Sequence, residues 1–521
     1  MLLEVKNKEL KMELDKTRKK KLMLNSVTSL ANQITALICG FILPKLILST
    51  FGSNVNGLVT SINQFLNVIT FLDLGVGAVV TSALYRPLAM KDYNEIGQIY
   101  LSAKRFFNKI AIVFLGYIAV LVFVYPKYIA TGFGFVYTSS LILVISITLF
   151  SQYYFGIVNQ LLLNADQKTY IVMLIQCSTL VLNTVACAFM MKAGVSIQMV
   201  KLTTSVIFLA RPALLTCYVK KNYRLNLSQR VAGEPIRQKW NGLAQHLAHV
   251  VLTNTDSIVL TMFSTLQNVS IYGVYNLVVN GVKTIFSSLT AGMSALFGNM
   301  LAKNETELLN QTFSDFEWLI HTATTLIYTI CGLMIVPFVA VYTKGINDAN
   351  YIVPLFASII TMANAVYCLR VPYNMVVLAA GHYRQTQMSS IIEMLINIIV
   401  SILAVSTFGL VGVAVGTLCA MAYRTIYLAF YLSHHILKRK LRHFLKHCCV
   451  DVISVILMII ATSWMQKMSG TYIEWIFKSM IVSGICFIIV YAVNYIVYKE
   501  KILKEIDRFM GRVKRKKHEN N

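Results

Sequence analysis

The chain has 521 residues, 56% of them hydrophobic and only 13% charged, with a formal net charge of +25. Its mean hydropathy is +0.64, and an ordinary soluble domain carries about 25% charged residues, so the composition excludes a soluble enzyme and points to an integral membrane protein. A pI near 9.6 also suits a nucleic-acid binder, but no soluble domain is large enough to present a binding face, and the positive charge falls in loops and tails, as membrane topology and contact with anionic lipid require.

Residues 1–25 are polar and lysine-rich. They are too long and too charged for a signal-peptide n-region, and no small-residue cleavage site follows the next apolar stretch. That stretch, 26–48, therefore reads as a signal anchor. Further spans fall near 55–84, 106–125, 138–163, 169–191 and 199–219, then 243–266, 270–300, 319–342, 352–379, 386–407 and 412–432, and finally 448–466 and 474–498. Each is close to the roughly 20 residues needed to cross a bilayer. The expected fold is an all-α polytopic membrane protein of about fourteen transmembrane helices. Its parts are a basic cytoplasmic segment 1–25, an N-lobe over 26–219 and a linker over 220–242, then a C-lobe over 243–432, a basic loop 433–447, two extra helices within 448–498, and a basic tail 499–521.

Loop charge keeps phase with this count. Alternate loops hold Arg86 and Lys91, then Lys168, then Lys220 and Lys221, then Lys303, Arg384, and Lys438 to Lys446; the intervening ones hold only Lys127, Lys192, Lys344 or Lys467. Both termini are expected in the cytoplasm.

The chain also repeats itself. Residues 54–92 match 270–304, with Gly57 opposite Gly273 and Gly75-Val76-Gly77 opposite Ala291-Gly292-Met293. Residues 159–169, NQLLLNADQKT, match 374–386, NMVVLAAGHYRQT; Gln176 then falls opposite Glu393, and Arg211 opposite Arg424. Two six-helix lobes of even span number would insert in the same orientation, giving a parallel repeat about the membrane normal.

Charges inside the membrane mark the candidate site, because each costs about 2.5–3.5 kcal/mol at the bilayer centre and must face protein or water. Asp256 and Lys283 lie mid-span in the seventh and eighth helices and are expected to pair or to share a wet cavity. Asp73 lies in the inner half of the second span and Arg86 at its exit, while Arg370 and Glu393 lie at similar depths on the tenth and eleventh. One buried ion pair would explain both of the latter, as would a transport path. Lys45, Arg211 and Arg424 join the candidates, with snorkelling to the headgroups as the alternative. His246 and His249 stand one turn apart near the end of the seventh span and read as polar lining.

No metal site is expected. Most of the cysteines sit in apolar stretches as small hydrophobes, and the adjacent Cys448-Cys449 lacks zinc spacing. The chain holds no Walker A, GxSxG or HExxH sequence and no DxD in a soluble loop. Outer loops mostly under about fifteen residues leave little to build an active site from. An enzyme is not expected, and no cofactor.

The stretches FLDLGVGAVVTSALYRPLAMKD (71–92), TNTDSIVL (253–260) and NMVVLAAGHYRQT (374–386) resemble bacterial polysaccharide flippases, which move O-antigen, capsule or exopolysaccharide repeat units. Their superfamily also includes multidrug and toxin extrusion transporters and lipid II flippases. The resemblance implies movement of a polyprenyl-diphosphate-linked oligosaccharide from the inner to the outer leaflet of the cell membrane. It maps a cationic central cavity onto Lys283, Arg86 and Arg370, leaves Asp73 and Asp256 for ion coupling, and implies polysaccharide-polymerase machinery as a further partner. The physics agrees, since a diphosphate-sugar headgroup loses its hydration in hydrocarbon unless cations and polar side chains replace it. Asn276 and Asn280, with Asn32, Gln33, Asn63, Gln64 and Asn254, suit such a lining. The rivals are an ion-coupled drug exporter or a lipid II flippase of the same fold, and a non-transport scaffold of an assembly complex.

Overall fold

A computed structural model describes residues 2–73, 75–223, 225, 243–290, 293–465 and 468–519. Most of the linker at 220–242, and Ala291-Gly292 of the repeat, lie outside these residues. So do the side chains of Asp73, His246 and His249. The chain is an all-α polytopic membrane protein. It divides into two compact units, Met1–Gly273 and Val274–Asn521.

The first unit contains α1 (Leu2–Asn67), α2 (Val76–Met90), α3 (Tyr93–Tyr128), α4 (Phe135–Ser151), α5 (Ile157–Ala165), α6 (Thr169–Lys192), α7 (Ile197–Asn222) and α8 (Leu243–Phe263). The division falls within α9 (Leu266–Thr290). The second unit continues with α10 (Met293–Ala302), α11 (Thr306–Tyr342), α12 (Pro354–Leu369), α13 (Val371–Ala379), α14 (Tyr383–Phe408), α15 (Leu410–His435), α16 (Arg442–Thr462) and α17 (Tyr472–Glu519). Among the described residues eleven helices are long and apolar enough to cross a membrane. Helix α9 is outside that set because Gln267, Asn268, Asn276, Asn280 and Lys283 lower its hydropathy.

The first two expected spans meet within α1 at a break: the backbone leaves helical geometry at Gly52, whose φ of 81° suits a residue without Cβ. A 3-10 turn over Val68–Asp73 gives way at the left-handed Gly75 (φ 70°) to α2. Leu58, Ile62 and Leu66 of α1, Phe107 and Phe114 of α3 and Leu162 of α5 are fully buried in one apolar cluster. Large apolar side chains such as Phe189 and Val206 stay exposed on outward helix faces. In a membrane protein such faces meet lipid.

The second half of α1 crosses the start of α9 at backbone contact. A Cβ on Gly57 would lie 1.8 Å from the carbonyl oxygen of Leu266, whereas one on Gly273, its repeat partner, would meet Thr60 at an ordinary 3.6 Å. Asn56 Nδ2 donates to Ser270 Oγ at 2.7 Å, and Thr261 and Tyr125 both donate to Ser61 Oγ, at 2.7 and 2.6 Å. Small residues that let backbones touch, backed by interhelical hydrogen bonds, replace the hydrophobic drive that lipid does not supply. Gly57→Ala is therefore expected to destabilise by about 1–3 kcal/mol or more, seen as a lower unfolding midpoint in detergent. Gly116→Ala, which meets nothing within 4 Å, should leave the midpoint equal or higher.

In the second unit α14 and α15 make a similar pair. A Cβ on Gly416 would lie 2.2 Å from Ser401 Oγ, and one on Gly412 would lie 2.3 Å from the Ala404 carbonyl oxygen. Glycines four residues apart thus lock the helices that carry Glu393 and Arg424. Trp318 Nε1 donates to Asn494 Oδ1 at 2.9 Å and Trp475 Nε1 to the Met334 carbonyl at 3.0 Å, which fasten α17 to α11.

Candidate functional site

Arg370 sits at the joint between α12 and α13. Pro372, two residues on, has no N–H to continue the α12 ladder, so the helix breaks there and the arginine stands at the break. Its guanidinium Nη1 pairs with Glu393 Oε1 on α14. Arg424 Nε on α15 lies 3.8 Å from the other carboxylate oxygen, and its Nη1 donates to the Thr386 carbonyl at 2.9 Å and to the Ser389 hydroxyl. Arg370, Arg424 and Glu393 are 8%, 4% and 5% exposed, so their charges depend on one another for solvation. Arg424 does not snorkel.

Tyr367 lies one turn before Arg370 on α12. The Arg370 guanidinium is 4.4 Å from its ring centroid and Lys283 Nζ, from α9, is 3.7 Å from the same centroid. Lys283 makes no ion pair among the described residues. The negative face of the ring holds its ammonium. Three cations thus gather around one carboxylate and one aromatic ring. Such a site attracts an anion.

Asp256 on α8 is buried and accepts from Tyr272 Oη at 3.0 Å, within the first unit. Asn276 is half-buried; Asn280 and Arg86 are exposed, and Lys45 is half-buried beside Pro44 in α1. Arg211 on α7 donates through Nε to Thr179 Oγ1 at 2.7 Å and lies 3.7 Å from the Phe208 ring centroid.

Two arrangements were not foreseen from the sequence. Glu317, fully buried on α11, accepts from Tyr373 Oη at 2.6 Å and pairs with Arg439, with His447 Nε2 3.8 Å away. One turn on, His321 bridges Asp451 of α16 and Tyr373, and Thr325 donates to Asp451 at 2.8 Å. The signal was a Glu–His–Thr stripe at four-residue spacing on α11, 317, 321 and 325. The second is a ladder of stacked rings along α15. Tyr423, Tyr427, Tyr431 and His435 have successive centroids 6.2, 6.0 and 4.4 Å apart. It begins beside Arg424.

A further polar cluster closes one end of the first unit. Asp166, at the end of α5, is 2.8 Å from Lys168 Nζ and 3.6 Å from Lys21 Nζ, and accepts from Tyr223 Oη at the end of α7. Burial by itself would raise the Asp166 carboxyl, but the hydrogen bonds from Lys168 and Tyr223 and the charges of Lys168 and Lys21 outweigh it and hold it below the usual carboxylate range. Burial, then the Asp166 carboxylate, push the Tyr223 hydroxyl above its ordinary value, so it remains a donor. A depressed carboxyl stabilises above its unfolded value, about 4, and that stabilisation is lost as pH falls through the lower folded value. Asp166→Asn should therefore lower stability at pH 7 and bring variant and wild type together as pH drops toward 3. Unfolding midpoints in detergent across that range would check it.

No protein-family profile and no curated protein matches the chain. Solved structures do. The chain is similar to a lipid II flippase, MurJ, in an inward-closed conformation, with TM-score 0.67 and 14% identity over 92% of this chain and 100% of that one. It is also similar to an inward-facing multidrug-resistance MATE family transporter of the MOP superfamily, with TM-score 0.63 and 13% identity over 77% of this chain and 95% of that one. A eukaryotic MATE transporter gives 0.55 and 11% over 81% and 97%. At these identities the likeness shows the fold alone.

Proposed function

We propose that the chain is a membrane transporter that moves a polyprenyl-diphosphate-linked oligosaccharide from the cytoplasmic to the outer leaflet, for cell-surface polysaccharide synthesis. The carrying observation is the cluster of Lys283, Arg370 and Arg424 around the single carboxylate of Glu393 beside Tyr367. A surplus of buried cations in membrane helices is stabilised by an anionic guest. Lys283, which makes no ion pair among the described residues, is the group that meets the diphosphate. The lipid tail stays in the bilayer as the two units alternate access. Both termini and the basic loops lie in the cytoplasm beside anionic lipid. Asp256, buried against Tyr272, serves ion coupling.

A flippase fold among the structural neighbours supports this reading. The MATE neighbours favour a second one, export of drugs by the same fold. A cationic drug would be repelled by the Lys283–Arg370–Arg424 group, which places the glycan reading ahead. Depleting the protein in cells separates them: the lipid-linked intermediate should accumulate on the inner leaflet. If the pool stays unchanged while cationic dyes are retained, the drug reading stands.

A further inference from the structure

The two arginines that the repeat sets opposite one another, Arg211 and Arg424, live in opposite electrostatic situations. Arg424 has Glu393. At the corresponding place Arg211 has Gln176, which carries no charge. The register that sets Asn159 opposite Asn374 also sets Gln152 opposite Tyr367. In the first unit the equivalent of the charged cluster is thus a ring of glutamines around one guanidinium.

A pocket has formed there. Helix α4 passes into a π turn over Gln152–Gly156 before α5. Such turns are rare and often mark functional sites. The last residue of this one, Gly156, packs closely on Pro212 of α7, where a Cβ would lie 3.1 Å from the proline Cβ. The cavity is about 40 Å³ and is lined by Gln152, Gln160, Gln176 and Arg211 among apolar side chains, with no acidic residue. Arg211 Nη2 is buried with no hydrogen-bond partner among the described residues, although Nε is bonded to Thr179. Gln176 Oε1 is engaged only weakly, by Asn32 at 3.4 Å.

A guanidinium with a buried nitrogen in a membrane helix needs a counter-charge, and Arg211 has no acidic partner among the described residues. We propose that this pocket binds one small monovalent anion of chloride size. The anion accepts from Arg211 Nη2 and from the side-chain amides of the surrounding glutamines, taking the place that Glu393 fills in the second unit. Size sets the class. A water needs about 10–15 Å³ of such space, so the pocket takes a halide with a water or two and excludes a diphosphate sugar. The site is independent of which substrate the protein moves.

The test uses the full-length protein in neutral detergent at constant ionic strength, with gluconate replaced stepwise by chloride or bromide. The unfolding midpoint should rise and saturate with chloride. Arg211→Gln should weaken that response at least about tenfold, the effect of losing a charge-assisted hydrogen bond. Gln176→Glu should fold at least as well as wild type yet lose the response, because it installs the carboxylate that the anion replaces. Arg211→Lys should retain part of it. A flat chloride titration in the wild type, or an equal rise in Gln176→Glu, overturns the proposal. So does a response to phosphatidylglycerol micelles without one to chloride, which would assign the guanidinium to a lipid phosphate.

Discussion

Glu393→Gln is expected to be the most damaging single change in the second unit, at about 3–5 kcal/mol. It leaves the buried Arg370 and Arg424 and the adjacent Lys283 with no carboxylate between them. Breaking a buried pair strands its partner, and here one deletion strands two guanidinium groups at once. The loss should appear as a fall in monodisperse protein recovered from detergent and in its unfolding midpoint. Arg370→Gln combined with Glu393→Gln removes a cation together with the anion and should recover part of the loss. A Glu393→Gln protein as stable as wild type would show that the carboxylate is not what holds the cluster.

Lys283→Ala should have the opposite profile. Its ammonium rests on the Tyr367 ring and strands no partner when removed, so the protein should fold and insert. What it should lose is the diphosphate. A charge-assisted hydrogen bond contributes about 1.5–3 kcal/mol, or roughly tenfold to more than a hundredfold in affinity. Lys283→Arg keeps the charge but presents a planar fork, and should retain partial activity. If Lys283 served only as the partner of Asp256, the double variant Asp256→Asn with Lys283→Gln would restore function. The substrate-binding role expects no rescue. Binding of a polyprenyl diphosphate to the purified variants, at matched protein levels, separates the two.

Much of this arrangement was legible from residue order because the physics is local. Span lengths follow from the bilayer, whereas the break at Pro372 inside the expected span 352–379 emerged only with the structure. Arg370 and Glu393 could be matched because two charges at equal depth need each other. Arg424 could not be placed, since depth along a helix is visible in sequence and the direction in which a side chain leaves the helix is not. Tyr367 looked like any aromatic in an apolar helix until Lys283 and Arg370 were found against it. The Glu317–His321–Asp451 network joins α11 to α16 across some 130 residues, and no period links those stretches. The first two spans were separable by pattern, and the non-helical backbone at Gly52 divides α1 between them.

The most direct test of the account is translocation in proteoliposomes of purified protein, following a polyprenyl-diphosphate-linked glycan beside a neutral glycolipid of the same tail. The account predicts that the wild type flips the diphosphate compound and that Lys283→Ala is at least about tenfold slower at equal protein density. The neutral lipid should cross at the protein-free rate in both. Equal rates for wild type and Lys283→Ala, or equal handling of the charged and neutral lipids, would contradict it.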